Sequence, residues 1–262
     1  MRNIVIGSVP YLNARPLVRW FRDTDEGRAS GVRVVEAVPS ALAGMLERGE
    51  LAAAMVSSFE LFRRPSLCFA PGVAVAADGP VLSVRMLSKA PIPEIRSVAL
   101  DTSSLTSTAL LKILLAEGWD LRPHYLPAAP DLDGMLERAD AALLIGDAGY
   151  RDYDPGLHVL DLGAAWRNLT GLPFVYALWI GPRDGLTPEV VAALQQAKEW
   201  GRAHREEIAC SEYARLGETY ERVHHYLTHI MRYDLGPREL EALRLFGEKA
   251  RRQGLLPGSQ LP

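Results

Sequence analysis

Over the first two thirds of the chain, short apolar runs alternate with helix-like stretches, and this rhythm restricts the fold more than any other feature. Strands read at Ile4–Ile6, Val32–Ala37, Leu51–Val56, Cys68–Ala77 and Val81–Leu87, the last two split by the turn Asp78-Gly79-Pro80. Between them, Pro39-Ser40 opens a helix that runs through Leu46 and stops at Gly49. Buried runs joined by helices predict a largely parallel sheet with helices on its faces. A second cycle follows Pro91-Ile92-Pro93. It has strands at Ser97–Leu100, Asp140–Ile145 and His158–Leu160, an amphipathic helix at Thr106–Glu117, and a long buried run from Pro173 to Ile180. From Thr187 onward the pattern is helical, with helices at Pro188–Glu207, Ser211–Met231 and Pro237–Arg252, the last stopped by Gly254.

A chain of 262 residues can hold one large domain or two smaller ones. Two sheet-forming cycles and a helical tail are best accommodated by a discontinuous first lobe, residues 1–84 and 178–262, with the tail packed on it. Residues 85–177 then form the second lobe. The chain would cross near Ser83–Ser88 and return near Phe174–Trp179, two adjacent strands that make a hinge. An α/β architecture of this kind places its ligand in the cleft between lobes.

Composition removes several classes of function. The net charge of −3 gives no reason to expect nucleic acid as a partner. No stretch approaches the ~18 uninterrupted apolar residues of a membrane span. The apolar run at the start is too short for a signal-peptide core, so the expected location is the cytoplasm. Cys68 and Cys210 form no CxxC pattern, which argues against a disulfide framework or a cysteine zinc site. His225 and His229 have metal-ligand spacing on a helix, but no HExxH accompanies them, so a packed or solvated pair is expected. No cofactor and no metal are expected.

Two polar turns carry the candidate chemistry. After Ile4–Ile6, the segment Gly7–Leu17 breaks into a turn presenting Ser8, Tyr11, Asn13 and Arg15, then enters a helix at Pro16. Turns at the carboxyl ends of strands are where α/β sheets bind ligands; the alternative is a structural turn with a capping Asn. The stretch Asp101–Thr108 has six hydroxyls in eight residues at a helix start. Free N–H groups there attract a carboxylate or a phosphate, and a plain cap would need only one of these hydroxyl residues. Ser57-Ser58 follows a strand. Gly146-Asp147 ends another, where Asp147 either orients a ligand or caps the next helix. Ser83 lies on the expected crossover strand. The absence of GxxxxGK[ST] and GxGxxG disfavours a nucleotide, and no GxSxG elbow is present.

Five stretches in order resemble the menaquinone-biosynthesis chorismate dehydratase family. They are IGSVPYLNARPL (Ile6–Leu17), GPVLSVRMLS (Gly79–Ser88), ALDTSSLTSTALL (Ala99–Leu111), LLIGDA (Leu143–Ala148) and WRNLTGLPFVYALW (Trp166–Trp179). The resemblance spans nearly the whole chain. It implies a two-lobed fold like the type II periplasmic solute-binding proteins, without a secretion signal. It also implies loss of water from chorismate to give 3-[(1-carboxyvinyl)oxy]benzoate, a step of the futalosine route to menaquinone, as a carbon–oxygen lyase without cofactor. Asn13 and Ser83 match the family positions placed near the reacting ring and are carried over as catalytic. Thr106 and Ser107 would hold a carboxylate. Ser8, Tyr11, Ser57, Gly146 and Asp147 would line the remaining site.

Two rivals stand beside this reading. One is the sister enzyme of the same route, a 1,4-dihydroxy-6-naphthoate synthase, whose N-terminal turn differs from SVPYLNARPL. The other is a non-catalytic binding protein for small carboxylates. A homodimer is left open, with the helical tail as its candidate contact, and Arg15 and Arg85 are left either to a substrate carboxylate or to structural ion pairs.

Overall fold

The computed structural model describes residues 4–101 and 103–256. Thr102 of the hydroxyl-rich turn therefore lies outside the described residues. The chain forms two compact units. One contains the chain up to Ala76 together with Val175–Pro237; the other contains Ala77–Phe174 together with the chain from Arg238 onward. Both crossings fall earlier than the expected positions at 84 and 178. The last helix, Pro237–Arg252, was expected on the first lobe, yet it belongs to the second unit. Aromatic burial explains this: Phe246 packs edge-on against Phe174 and Trp166, with centroids 5.0 and 6.2 Å apart. The Trp166 indole donates to the Pro173 carbonyl at 2.9 Å, so its one polar group is satisfied in the core.

The strands are β1 (Ile4–Ser8), β2 (Val32–Glu36), β3 (Ala53–Ser57), β4 (Cys68–Ala77), β5 (Val84–Ser88), β6 (Ser97–Asp101), β7 (His124–Ala128), β8 (Ala141–Ile145), β9 (His158–Asp161), β10 (Phe174–Gly181) and β11 (Met231–Arg232). They form two sheets, ordered β11-β4-β10-β3-β1-β2 and β7-β6-β8-β5-β9. Both sheets are mixed, not largely parallel. In the first, β1 runs parallel to β2 and β3, whereas β10 enters antiparallel to β3. In the second, β6 runs parallel to β7 and β8, whereas β5 is antiparallel to β8 and β9.

In the first unit, the helix Arg15–Asp23 starts with Pro16 in its first turn and buries Leu17, Val18, Trp20 and Phe21. It lies close against the helix Pro188–Ala203: a Cβ on Gly201 would come within 1.7 Å of the Pro16 carbonyl oxygen. The helical tail is more broken than its periodicity suggests. Gly217, at φ 70°, ends the helix Arg205–Leu216, and the Thr219 hydroxyl caps the next one, Tyr220–His225. The imidazoles of His225 and His229 stack with centroids 5.0 Å apart.

In the second unit, the helix Leu105–Trp119 is not amphipathic. It buries Leu110, Leu111, Ile113, Leu114 and Leu115 around most of its circumference, as a helix apolar on all sides must. Its one interior cation, Lys112, lies over the Tyr125 ring at 4.7 Å. The strand β7 and the helix Leu132–Arg138 have no counterpart in the periodicity reading; Met135 there packs on Leu87, Ala99 and Leu144. Asp140 ties β6 to β8. One carboxylate oxygen accepts from the amides of Arg96 and Ser97, both at 2.9 Å, and from the Ser97 hydroxyl at 3.0 Å. These donors hold its carboxyl below the usual range, led by the Arg96 amide. No helix among the described residues is long and apolar enough to cross a membrane.

Two substitutions test this packing. Gly201→Ala gains about 1 kcal/mol of helix propensity, but overpacking against backbone costs about 1–3 kcal/mol. The thermal midpoint should fall, and a rise would contradict the close approach. Asp140→Asn should cost about 1 kcal/mol at neutral pH. A depressed carboxyl stabilises above the unfolded value of about 4 and loses that contribution as pH falls through its folded value. The gap between wild type and variant in denaturant unfolding should therefore close at acid pH.

Candidate active site

In the first unit the candidate residues gather at the carboxyl ends of neighbouring parallel strands. β1 ends at Ser8 and β3 at Ser57, with Gly7 facing Ala54 in register. After Ser8 the chain turns through Tyr11 into a single 3₁₀ turn, Leu12–Ala14, before the helix at Arg15. Leu12 and Ala14 are buried, which leaves Tyr11 and Asn13 on the other side of the turn, half-exposed. Ser8 is fully buried, and its hydroxyl donates to the Val9 carbonyl at 3.4 Å. Ser58 braces β3 from behind: its hydroxyl donates to the Val175 carbonyl at 2.7 Å and its amide to the Tyr176 carbonyl at 3.1 Å.

Arg15 holds this turn from below. It donates to the Pro10 carbonyl at 2.9 Å and to Glu36 at 2.7 Å, and its Nε lies 3.4 Å from Glu212. With the side chain 11% exposed and these partners in place, Arg15 is a structural cation of the turn. Arg85 has a similar part in the second unit. It donates to the carbonyls of Gly149 and Arg151 and lies 5.8 Å from the centroid of Tyr153. Burial raises the Tyr153 phenol above its usual value, and its hydroxyl donates to the Ala148 carbonyl.

The second unit also brings its candidates to one sheet edge. β6 and β8 are parallel, with Leu100 facing Leu143, so their carboxyl ends lie side by side. β5 runs the other way, with Val84 facing Ile145, so its amino end joins them. Ser83 thus comes beside Gly146-Asp147, and the helix Leu105–Trp119, with Thr106 and Ser107 in its first turn, follows β6 at the same end of the sheet. Ser83, Thr106 and Ser107 are each at most 2% exposed; Asp147 is half-exposed. Gly146 takes φ 59°, a left-handed value that suits a residue without Cβ where β8 gives way to the helix Gly146–Tyr150.

The hydroxyl-rich turn satisfies much of itself. The Ser104 hydroxyl accepts from the Ser107 amide at 3.2 Å and contacts the Ser107 hydroxyl at 2.9 Å. Asp101, 2% exposed, accepts from the Ser103 amide at 2.8 Å and hydroxyl at 2.6 Å. Ser104 is therefore the helix cap.

Ser83 does not lie on a strand. β5 begins only at Val84, because the Asp161 carboxylate takes the amides of Val81 and Leu82 that a ladder would use. Leu82 is left-handed at φ 62°. Asp161 was missed in the sequence: an Asp before Leu162-Gly163 reads only as the cap of the next helix, which it also is, accepting from the Ala164 amide at 3.0 Å.

The comparisons with known proteins bear on the family and the fold. A family model described as menaquinone biosynthesis matches residues 4–252. A chorismate dehydratase from Thermus thermophilus is 35% identical, over 95% of this chain and 95% of that protein. Among solved structures, protein AF1704 from Archaeoglobus fulgidus superposes with a TM-score of 0.75 at 19% identity, covering 96% of this chain and 98% of that one. The Candida albicans CA3427 product, described as having the generic periplasmic binding protein fold, superposes with a TM-score of 0.65 at 10% identity, over 99% of this chain and 92% of that one. The two sheets and their helices thus have the periplasmic-binding-protein fold, and the chain belongs to the menaquinone-biosynthesis family.

Proposed function

We propose that this protein is a chorismate dehydratase, a carbon–oxygen lyase that removes water from chorismate to leave 3-[(1-carboxyvinyl)oxy]benzoate. The observation that carries the reading is the 35% identity to the Thermus thermophilus chorismate dehydratase over 95% of both chains. The menaquinone-biosynthesis model over residues 4–252 supports it. Neither the naphthoate synthase nor a non-catalytic receptor is favoured by these relatives. The reading keeps the cytoplasm as the compartment and chorismate as the small-molecule partner.

The chemistry suits small polar side chains. A proton leaves the ring carbon that bears the ether. Its C–H electron pair becomes the new ring double bond, the neighbouring C–O bond breaks, and hydroxide departs and is protonated to water. The ring becomes aromatic, so the driving force lies in the substrate. In this reading Asn13 and Ser83 hold the ring hydroxyl and align it for departure. Thr106 and Ser107 hold a carboxylate near the amino end of Leu105–Trp119, where the helix dipole favours an anion. Tyr11, Ser57, Gly146 and Asp147 complete the walls, and Ser8 supports the turn from within.

The proton acceptor in this reading is the substrate's own side-chain carboxylate, which returns the proton to the departing hydroxide. An intramolecular base in the right geometry contributes up to roughly 7–11 kcal/mol. The protein then supplies orientation and a set of fixed donors.

Three experiments check the reading. Incubation with chorismate alone, followed by chromatography and mass, should show loss of one water. Asn13→Ala and Ser83→Ala should each lower kcat about 10²–10³-fold, as for loss of one preorganised donor; turnover near wild type in both would remove them from the site. A chorismate analogue without the side-chain carboxylate should bind but stay unreacted. Its normal turnover would show that a protein group is the base.

A further inference from the structure

We infer that Asp161 is a positioning residue for Ser83, acting through the left-handed backbone of Leu82; this rests on the dehydratase reading of Ser83. The half-buried carboxylate of Asp161 spends both oxygens on backbone. Oδ1 accepts from the Val81 amide and the Ala164 amide, each at 3.0 Å. Oδ2 accepts from the Val81 amide at 3.0 Å and the Leu82 amide at 2.8 Å. One side chain therefore caps the helix Leu162–Thr170 and grips the two residues before Ser83.

The grip meets a need of the backbone. Leu82 has φ 62°, one of two non-glycine residues with positive φ among those described. A leucine in that region is strained and persists only where its surroundings over-determine it. Bonds from an ionised carboxylate to two successive amides are the charge-assisted kind that can do so. The far side of the segment is closed as well. A Cβ on Gly149 would come within 2.3 Å of the Ser83 carbonyl oxygen, so the helix Gly146–Tyr150 lies directly on it. Ser83, 1% exposed, is thus set between a carboxylate that dictates the preceding φ and a helix that leaves no slack.

Asp161→Asn isolates this role. Asn caps a helix as well as Asp does, so Leu162–Thr170 keeps its N-terminus. The amide, however, has one acceptor oxygen, and its NH₂ would face the Leu82 N–H, donor against donor. With chorismate as substrate, kcat should fall about ten- to a hundredfold, the scale of a small misplacement of a reacting group, with KM within about twofold. Adding Asp161→Asn to Ser83→Ala should cost little more than Ser83→Ala alone. In a Leu82→Gly background, where positive φ needs no support, the cost of Asp161→Asn should shrink to about threefold or less. Hydrogen exchange should speed up at the Val81 and Leu82 amides. An unchanged kcat, full additivity with Ser83→Ala, or an undiminished cost in Leu82→Gly overturns the inference. If Asp161→Asn does not fold, Asp161→Ser, which retains a cap, is put through the same comparisons. If the wild-type protein leaves chorismate unchanged, the dehydratase reading fails. Exchange then decides the backbone inference alone, and unchanged protection at Val81 and Leu82 overturns it.

Discussion

Backbone that leaves a sheet must find new partners for its N–H and C=O groups, and every part of the candidate site depends on how that demand is met. β1 and β3 stop at their carboxyl ends, and β5 starts three residues later than its apolar run. Each break frees polar groups beside the positions that carry chemistry. In the first unit Arg15 collects the Pro10 carbonyl. In the second, Asp161 collects the amides of Val81 and Leu82. Charged side chains serve as braces for these turns.

This division of labour separates charge from chemistry. Arg15 and Arg85 had the strongest claim on a substrate carboxylate, since guanidinium matches it well. Both spend donors on backbone carbonyls of their own unit. In the proposed site a substrate meets hydroxyls, an amide side chain, helix-terminal backbone and the half-exposed Asp147 carboxylate. In that reading these groups orient a reactant that is already unstable with respect to aromatisation.

The architecture was largely legible, for reasons particular residues make plain. Ala53–Val56 and Ala141–Ile145 are buried on both faces, so their strands appear as continuous apolar runs. Pro16 marked a helix start and Gly254 a helix end. Less legible were elements whose character depends on what lies opposite. β7, half-buried at an edge, sets Tyr125 and Leu126 side by side and then Pro127, so its residues do not alternate. The helix Leu105–Trp119 has apolar residues on every side, and periodicity cannot say which face is covered.

The site divides the same way. Asn13 and Ser83 were singled out from consecutive residues, Asn13 in the turn after a buried run and Ser83 on an expected strand, and the family resemblance supplied their proposed roles. Asp161 was not, because its partners lie 79 and 80 positions away and no local pattern records them. The sequence by itself determined where most of the strands and helices form, since burial period and capping act within a few residues. Tertiary structure alone decided that the last helix joins the second unit through Phe246, that β5 begins at Val84, and that Leu82 turns left-handed. Each of those outcomes is a contact between residues far apart in the chain, and such contacts form only once the fold has brought them within hydrogen-bonding or packing distance.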